Sequence, residues 1–294
     1  MNSRDFRALC APYIVRDGRR FRLNTFDHKG PAPQASAKAA KKFLKKSVAA
    51  LSDLQETLYA QDRWGVLLIF QAMDAAGKDS AIKHVMSGID PKGCQVFSFK
   101  RPSEEELDHD FMWRSSKCLP ERGRIGIFNR SYYEETLVVR VHPELLERQK
   151  LPARLITPRI WRERYDDINA FERYLARNGF VIRKFFLNVS RAEQRRRLLE
   201  RLERPEKNWK FEMGDLTARA RWRSYRNAYE ETIRQTATPH APWVVIPADD
   251  KKFARTVVAA AVIDALHGLK LEFPSLDAGQ RRDLTRARRL LQQE

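Results

Sequence analysis

Residues 66–89 read VLLIFQAMDAAGKDSAIKHVMSGI, and this stretch decides the fold. It opens with five apolar residues, a run typical of a strand buried on both faces of a parallel sheet. A polar run follows and ends at Gly77-Lys78. Apolar residues then return at the spacing of one helix face, at Ile82, Val85, Met86 and Ile89. Strand, glycine-containing loop and helix in this order predict a loop that binds phosphate at a helix N-terminus.

The loop departs from the pattern GxxxxGK[ST] at two positions. Ala72 stands where the first glycine is expected, and Asp79 stands where the pattern has a hydroxyl that binds magnesium. Ser80 comes one position later, and Asp74 places an extra carboxylate inside the loop. On this pattern alone, a functional phosphate loop and a plain strand–helix turn are both open interpretations.

A second strand, predicted at 124–128, ends in the polar run NRSYYEE at 129–135. Ligands of open α/β sheets gather at the carboxyl ends of the strands, so Asn129, Arg130 and Glu134 are expected beside the phosphate loop. Arginine can brace a transferring phosphoryl group, and asparagine or glutamate can contact a metal directly or through water. A strand end with solvated charges is the alternative.

The remaining patterns set the fold class. Further strands are predicted at 95–99, 180–189 and 243–247, and an amphipathic helix at 36–59. Helical patterns separate the strands. The sequence therefore predicts an α/β fold: a doubly wound parallel sheet of about five strands with helices on both faces.

Three segments are predicted along the chain. Residues 1–33 form an N-terminal extension, 34–270 the main domain and 271–294 a basic helical tail. Within the main domain, residues 191–226 are dense in arginine and lysine, and in a nucleotide kinase a segment of this kind is a mobile lid that supplies arginines to the reacting phosphates. Trp209 and Trp222 are interpreted as packing residues of this lid, and a solvated helix face remains the alternative for the basic run.

The overall charge points to a polyanionic partner. The 294 residues include 56 Lys and Arg against 38 Asp and Glu, a net charge of +18. Such an excess attracts DNA, RNA, anionic lipid and polyphosphate alike. The three widely spaced cysteines disfavour a disulfide framework or a zinc site and fit the cytoplasm. No apolar run approaches the ~20 residues that span a bilayer.

Five runs in order resemble the polyphosphate kinase 2 family. They are MDAAGKDSAIKHVMSGI at 73–89, FSFKRPSEEELDHDFMWR at 97–114, ERGRIGIFNRSYYEE at 121–135, VSRAEQRRRLLERLERPEKNWKF at 189–211 and APWVVIPADDKKFAR at 241–255. The likeness covers roughly residues 20 to 270. Because several motifs recur in the same order, the resemblance is far more specific than the phosphate loop alone.

The resemblance implies a P-loop kinase core with a helical lid that moves phosphate between inorganic polyphosphate and nucleotides. It implies Mg²⁺, with Mn²⁺ as an alternative ion, and a homo-oligomer, either a dimer or a tetramer. The FNRSYYE form at 128–134 is similar to the branch that phosphorylates both AMP and ADP, and GMP and GDP are further candidate acceptors. Asn129 occupies a position where some branches carry aspartate. Neither nucleic acid nor a membrane is an expected partner.

The resemblance and the loop pattern together assign the site residues. The expected catalytic residues are Asp74, Lys78 and Arg130, and the expected metal ligands are Asp74 and Glu134. The expected contacts to polyphosphate are Ala75, Ala76, Gly77, Lys78, Asp79, Ser80, Lys83, Arg191, Arg195, Arg197, Arg201, Lys207 and Lys210. The expected contacts to the nucleotide are Lys100, Arg101, Pro102, Asn129, Arg130, Tyr133 and Glu134.

Two other functions stay open. An ATP-dependent nucleoside monophosphate kinase would share the fold and the lid but needs no long basic path for a polymer. A basic nucleic-acid-binding protein with a degenerate P-loop would use the aromatic-studded basic run to hold a single strand. The ordered string of kinase-like motifs argues against that second alternative.

Overall fold

The computed structural model describes residues 3–31 and 37–293, with the side chains of all of these except 37–41. The strands are β1 (Ile14–Val15), β2 (Gly65–Ala72), β3 (Cys94–Ser98), β4 (Ile125–Asn129), β5 (Phe180–Asn188) and β6 (Trp243–Pro247). The α-helices are α1 (Ser3–Cys10), α2 (Ala37–Gln61), α3 (Lys78–Met86), α4 (Glu104–Leu107), α5 (Trp113–Ser116), α6 (Ile160–Arg177), α7 (Arg191–Glu203), α8 (Pro205–Asn208), α9 (Met213–Ala220), α10 (Trp222–Thr236), α11 (Lys251–His267) and α12 (Ala278–Leu291). A π-helix covers Glu135–Val139, and short 3₁₀ turns cover Ala11–Tyr13, Leu23–Thr25, Pro91–Gly93, Pro143–Gln149 and Ala153–Leu155.

The six strands form one sheet in the order β1-β6-β5-β2-β4-β3. Strand β2 pairs in parallel with β4 on one side and with β5 on the other. The outer pairs β3–β4 and β5–β6 are also parallel, and only β1 is antiparallel. The loops that leave β2, β4 and β5 therefore open at the same edge of the sheet, where α/β proteins bind their ligands.

Helices cover both faces of the sheet, as the sequence predicts. One core packs α2, α3 and α11 against residues such as Val66, Leu68 and Phe70 of β2. The other packs α6 and α10 against Leu67 and Ile69, the alternate residues of the same strand. Since successive side chains of a strand point to opposite faces, the unbroken apolar run of β2 is buried on both.

The five predicted strands are confirmed to within one or two residues at each end, and the helix predicted at 36–59 is α2. The estimate of about five strands misses β1. This strand has two residues, Ile14 and Val15, and it joins the sheet only through its pairing with β6. Two residues carry no alternating pattern, so sequence periodicity could not indicate it.

The N-terminal segment lies against the main domain. Arg7 Nε of α1 donates a hydrogen bond to Asp264 Oδ1 of α11 at 2.8 Å, and Asn188 Nδ2 of β5 donates to the Phe26 carbonyl at 3.1 Å. The predicted boundary at residues 33 and 34 lies outside the described residues. At the other end α12 begins with an Asp277–Gln280 capping box, and none of its residues is buried. Among the described residues no helix is long and apolar enough to cross a membrane.

Candidate active site

The loop between β2 and α3 has the shape of a phosphate cradle. Ala75 and Gly77 both adopt positive φ, at 59° and 100°, so the chain turns sharply before α3 begins at Lys78. Gly77 is the N-cap of α3 and provides no side-chain cap. The first backbone N–H groups of a helix have no intrahelical acceptor, and the positive end of the helix dipole adds to their attraction for an anion. This helix N-terminus is therefore open to phosphate.

Lys78 reaches across the sheet edge from the loop to β4. Its Nζ donates a hydrogen bond to Asn129 Oδ1, and Asn129 Nδ2 donates to Asp79 Oδ1 at 3.0 Å. The Lys78 side chain is only 15% exposed. Burial, with a smaller contribution from Arg130, lowers the pKa of Lys78. The amide of Asn129 is thus a neutral partner that a phosphate oxygen can replace.

Arg130 lies between two carboxylates. Its Nη2 is 3.5 Å from Asp74 Oδ1 in the loop, and its Nη1 is 3.8 Å from Glu134 Oε2. Arg130 itself has φ of 65°, in the left-handed region where a non-glycine residue is strained. Strain of this kind persists where the surrounding structure enforces it, often at functional sites. The pKa of Arg130 is raised, chiefly by the charge of Glu134.

Glu134 is the less accessible of the two carboxylates. Its side chain is 16% exposed, and burial raises its pKa although Arg130 and Lys78 oppose the change. When the Gln71 amide is oriented to match donors with acceptors, Gln71 Nε2 donates to Glu134 Oε1 at 2.9 Å. Asp74, whose side chain is 30% exposed, is the more open group. Within the described residues, no three His, Cys, Asp or Glu side chains come together as a metal cluster.

Tyr133 was expected to contact the nucleotide, and the structure places it elsewhere. Its side chain is fully buried, and its hydroxyl donates to Glu172 Oε1 at 2.8 Å. Tyr132 donates to the same oxygen at 2.9 Å, and Lys184 Nζ lies 2.6 Å from Glu172 Oε2. The chain turns after Arg130, so that both tyrosines lie in the core next to the end of β4 rather than at the ligand-binding edge.

Two of the expected polyphosphate contacts are also occupied within the protein. The Ser80 hydroxyl accepts hydrogen bonds from Nε and Nη2 of Arg255 in α11, with Nε at 3.2 Å. Arg197 is buried, with 4% exposure, and its guanidinium donates to backbone carbonyls rather than facing solvent. The sequence offered no signal for Arg255, but helix phase could have indicated that Arg197 faces inward.

The other cations of the lid segment have mixed positions. Arg191, Arg195 and Lys210 are exposed, whereas Arg201 is half-buried and its Nη1 lies 3.0 Å from Asp215 Oδ2. Lys207 Nζ lies 2.5 Å from Glu200 Oε1. Trp209 is 77% exposed, so its interpretation as a packing residue is wrong, whereas Trp222 packs against the core.

The remaining predicted site residues lie in the segment after β3 and on α3. Lys100, Arg101 and Pro102 are exposed, and the Lys100 carbonyl accepts a hydrogen bond from Arg114 Nη1 at 2.8 Å. Lys83 is exposed on α3. Tyr225 of α10 packs against the core, as its helical spacing with Tyr229 indicates, and burial, with smaller contributions from the charges of Glu134 and Asp74, raises its pKa to about 12. The structure thus brings together Asp74, Lys78, Asp79, Asn129, Arg130 and Glu134.

Comparison with known proteins identifies the family to which this site belongs. The family model for polyphosphate kinase 2 matches residues 34–274. This chain belongs to the polyphosphate kinase 2 family. It is 51% identical over 249 residues to an ADP-polyphosphate phosphotransferase of Rhodopseudomonas palustris, covering 84% of this chain and 86% of that protein. It is 42% identical to an AMP/ADP-polyphosphate phosphotransferase of Meiothermus ruber, covering 89% and 94%.

A solved polyphosphate kinase 2 has the same fold. The crystal structure of polyphosphate kinase 2 from Arthrobacter aurescens superposes with a TM-score of 0.81 at 39% identity, covering 92% of this chain and 95% of that one. The predicted P-loop kinase architecture is therefore confirmed, and so is the resemblance that the five sequence runs indicated. The family match ends at residue 274 and leaves α12 outside it.

Proposed function

We propose that this polyphosphate kinase 2 family member transfers the terminal phosphate of inorganic polyphosphate to AMP and ADP, with GMP and GDP as further candidate acceptors. The observation that carries the proposal is the position of Arg130 beside the phosphate loop, between Asp74 and Glu134. The printed activities of the two relatives support the donor, and the relative from Meiothermus ruber supports two acceptors.

The chemical problem is electrostatic. Two polyanions must approach, and a net charge of +18 favours their binding. An oxygen of the nucleotide's terminal phosphate attacks the end phosphorus of polyphosphate in line. A new P–O bond forms, the bridging P–O bond breaks, and the shortened polyphosphate leaves with the bonding electrons. The attacking oxygen is largely ionised near neutral pH, so positioning and charge stabilisation carry the catalysis.

The residues divide this work. The loop amides around Gly77 and the Lys78 ammonium hold phosphate oxygens, with Lys78 exchanging its hydrogen bond to Asn129 for one to the substrate. Arg130 turns its guanidinium from the carboxylates to the transferring phosphoryl group. The exposed Arg191, Arg195 and Lys210 attract the polymer, and the exposed segment 100–102 faces the acceptor.

Asp74 and Glu134 would hold Mg²⁺, or Mn²⁺ in its place. Magnesium is usually bound through one or two carboxylates, together with substrate phosphates and water, and the two carboxylates beside Arg130 fit this ion. When bound, the ion neutralises charge on the phosphate oxygens. Asp74 is the preferred contact because it is the more exposed carboxylate. Replacing Asp74 by Asn should raise the Mg²⁺ concentration needed for half-maximal activity.

The experiment that tests the donor is a product analysis. AMP or ADP is incubated with Mg²⁺ and polyphosphate, with controls that lack polyphosphate or contain ATP as donor, and the nucleotides are separated by chromatography. ADP and ATP formed only with polyphosphate would support the proposal, and ATP formed from AMP would support the two acceptors. Transfer from ATP to AMP with none from polyphosphate would overturn it.

We also infer a homo-oligomer in the cytoplasm that binds no nucleic acid. Cys10, Cys94 and Cys118 are all free thiols, which suits a reducing compartment. Sedimentation of the purified chain tests the oligomeric state, and titration with a fluorescent single-stranded RNA tests for nucleic-acid binding. A monomer at every concentration, or RNA binding as tight as polyphosphate binding, would contradict these inferences.

A further inference from the structure

Every donor of Arg197 is used inside the protein. Its Nη1 donates to the carbonyls of Ala75 and Ala76 at 3.1 and 2.7 Å. Its Nη2 donates to the carbonyls of Ala248 and Asp249 at 2.6 and 3.0 Å, and its Nε donates to Glu193 Oε1 at 2.7 Å. A guanidinium has five N–H donors, and the four carbonyl oxygens and Glu193 Oε1 are five acceptors. Arg197 therefore has no donor left for a phosphate in this conformation.

Gln194, one turn earlier in α7, extends the same contact. Its Nε2 donates to the Asp74 carbonyl at 3.0 Å, and its Oε1 accepts from Arg219 Nη1 at 2.9 Å. Gln194 is 2% exposed. The carbonyls of three consecutive loop residues, Asp74, Ala75 and Ala76, are thus bound by two side chains of one helix.

Peptide geometry turns this into a constraint on the phosphate-binding face. A trans peptide is planar, so its carbonyl and the following N–H point in opposite directions. Holding the three carbonyls toward α7 directs the next N–H groups, those of Ala75, Ala76 and Gly77, to the other side. The Ala76 N–H bonds the Met73 carbonyl at 3.2 Å. The amides of Ala75 and Gly77 are therefore the ones that this contact presents to phosphate.

The loop needs outside support. Ala75 has φ of 59°, a left-handed conformation that is strained for an alanine. The usual first glycine is absent, because Ala72 stands at its position, and the Ser80 hydroxyl is bound by Arg255. Strained backbone persists when its surroundings determine it, and α7 is the element that contacts these carbonyls through Gln194 and Arg197.

We propose that Arg197 and Gln194 are positioning residues that preset the phosphate loop, so that the base of the lid and the loop form one unit. This inference rests on the proposed phosphotransfer at the same loop, and it changes the role expected for Arg197 from substrate contact to loop support.

The test compares substitutions on one helix in the full-length protein. Arg197→Gln removes the loop contacts of the guanidinium, and Arg197→Lys keeps the charge with fewer donors. If Arg197→Gln fails to fold, Gln194→Ala removes one loop contact, that to the Asp74 carbonyl, together with the contact to Arg219. Arg196→Gln is the matched control, because Arg196 also pairs with Glu193 at 2.6 Å but its side chain is 61% exposed.

Hydrogen exchange is measured on the free proteins without substrate, followed by steady-state kinetics. Arg197→Gln should speed amide exchange in the peptide covering 73–82 by at least about tenfold, while the β5 peptide stays protected. It should also lower kcat and raise KM for polyphosphate, with Arg197→Lys intermediate and Arg196→Gln unchanged. Loop exchange that matches wild type in Arg197→Gln and Gln194→Ala would overturn the inference, whatever the activity. Because exchange is read without substrate, this failure is distinct from failure of the proposed function.

Discussion

The Lys78 ammonium and the Asn129 side-chain carbonyl are hydrogen-bonded across the edge of the sheet, one from the phosphate loop and one from the end of β4. The same amide donates through Nδ2 to Asp79 Oδ1 at 3.0 Å. Asn129 is suited to this place because an amide offers both an acceptor and a donor. It holds the buried lysine without adding a negative charge that would compete with phosphate.

Replacing Asn129 by Asp should therefore weaken substrate binding. The new carboxylate pairs with Lys78 more strongly than an amide does, and it faces Asp79 without a donor to offer. KM for polyphosphate should rise by roughly tenfold, the equivalent of about 1.4 kcal/mol. Steady-state kinetics measures this, with Asn227→Asp on an exposed position of α10 as the matched control. A KM equal to or below that of the control would contradict the role given to the amide.

Glu193 should make the stability of the protein depend on acid pH. Hydrogen bonds from Arg196 and, to a smaller extent, Arg197 lower its pKa from 4.5 to about 2. A lowered native pKa stabilises the fold fully above the unfolded value of 4.5, and this contribution is lost as the pH falls toward 2. Glu193→Gln should therefore cost about 1–2 kcal/mol of unfolding free energy at pH 7 and progressively less below 4.5.

Urea denaturation of the wild type and Glu193→Gln from pH 7 down to pH 3 measures this difference. Glu203→Gln, at an exposed position of the same helix, is the control and should differ little from the wild type at any pH. A Glu193 effect that is the same at pH 7 and pH 3 would show that the carboxylate charge is not its source.

The buried pair of Lys184 and Glu172 should be essential as a pair. Both side chains have 0% exposure, and Lys184 Nζ lies 2.6 Å from Glu172 Oε2. Lys184→Met leaves the Glu172 carboxylate buried without its ammonium partner, although the two tyrosine hydroxyls still donate to it, and should cost about 3–5 kcal/mol. Glu172→Gln should lower the free energy of unfolding by a comparable amount, because it leaves the Lys184 ammonium buried without its carboxylate partner.

A double-mutant cycle in urea checks this. The double variant Lys184→Met with Glu172→Gln should lose much less than the sum of the two single changes, because it removes both charges and leaves none unpaired. Additive losses would show that the two groups are stabilised by other contacts.

The C-terminal helix should be dispensable for folding. No residue of α12 is buried, and its side-chain hydrogen bonds with described partners stay within residues 276–285. A chain that ends at Leu276 should keep its unfolding free energy to within about 0.5 kcal/mol, as expected for surface changes. Thermal and urea unfolding of both chains measure the difference. A loss above about 2 kcal/mol would mean that α12 packs against another copy of the chain.

Much of the fold followed from contiguous apolar runs. The run at 66–70 predicted a strand buried on two faces, and the loop that follows it indicated the edge where ligands bind. The approach of Asp74, Arg130 and Glu134 also follows, since parallel strands bring their carboxyl ends to one edge.

What failed was the direction of individual side chains. Tyr133 and Glu134 are neighbours, yet one is buried and the other faces the site, because Arg130 at φ of 65° turns the chain in a way that composition does not indicate. In α7 the three consecutive arginines at 195–197 have the same composition signal, although only the third is buried. The buried residues Gln194, Arg197 and Leu198 follow helical spacing, so the phase of the helix was the available signal for Arg197.

The most direct measurement is the stoichiometry of transfer, followed by ³¹P NMR on wild type and Arg130→Ala with ADP, Mg²⁺ and polyphosphate. The wild type should lose one bridging phosphoanhydride of polyphosphate for each ATP formed, without release of inorganic phosphate. Arg130→Ala should remain folded and lose at least about 100-fold in rate, as expected when a transition-state contact is removed. ATP formed without shortening of polyphosphate, or a near-normal rate in Arg130→Ala, would contradict the assignment of donor or of site.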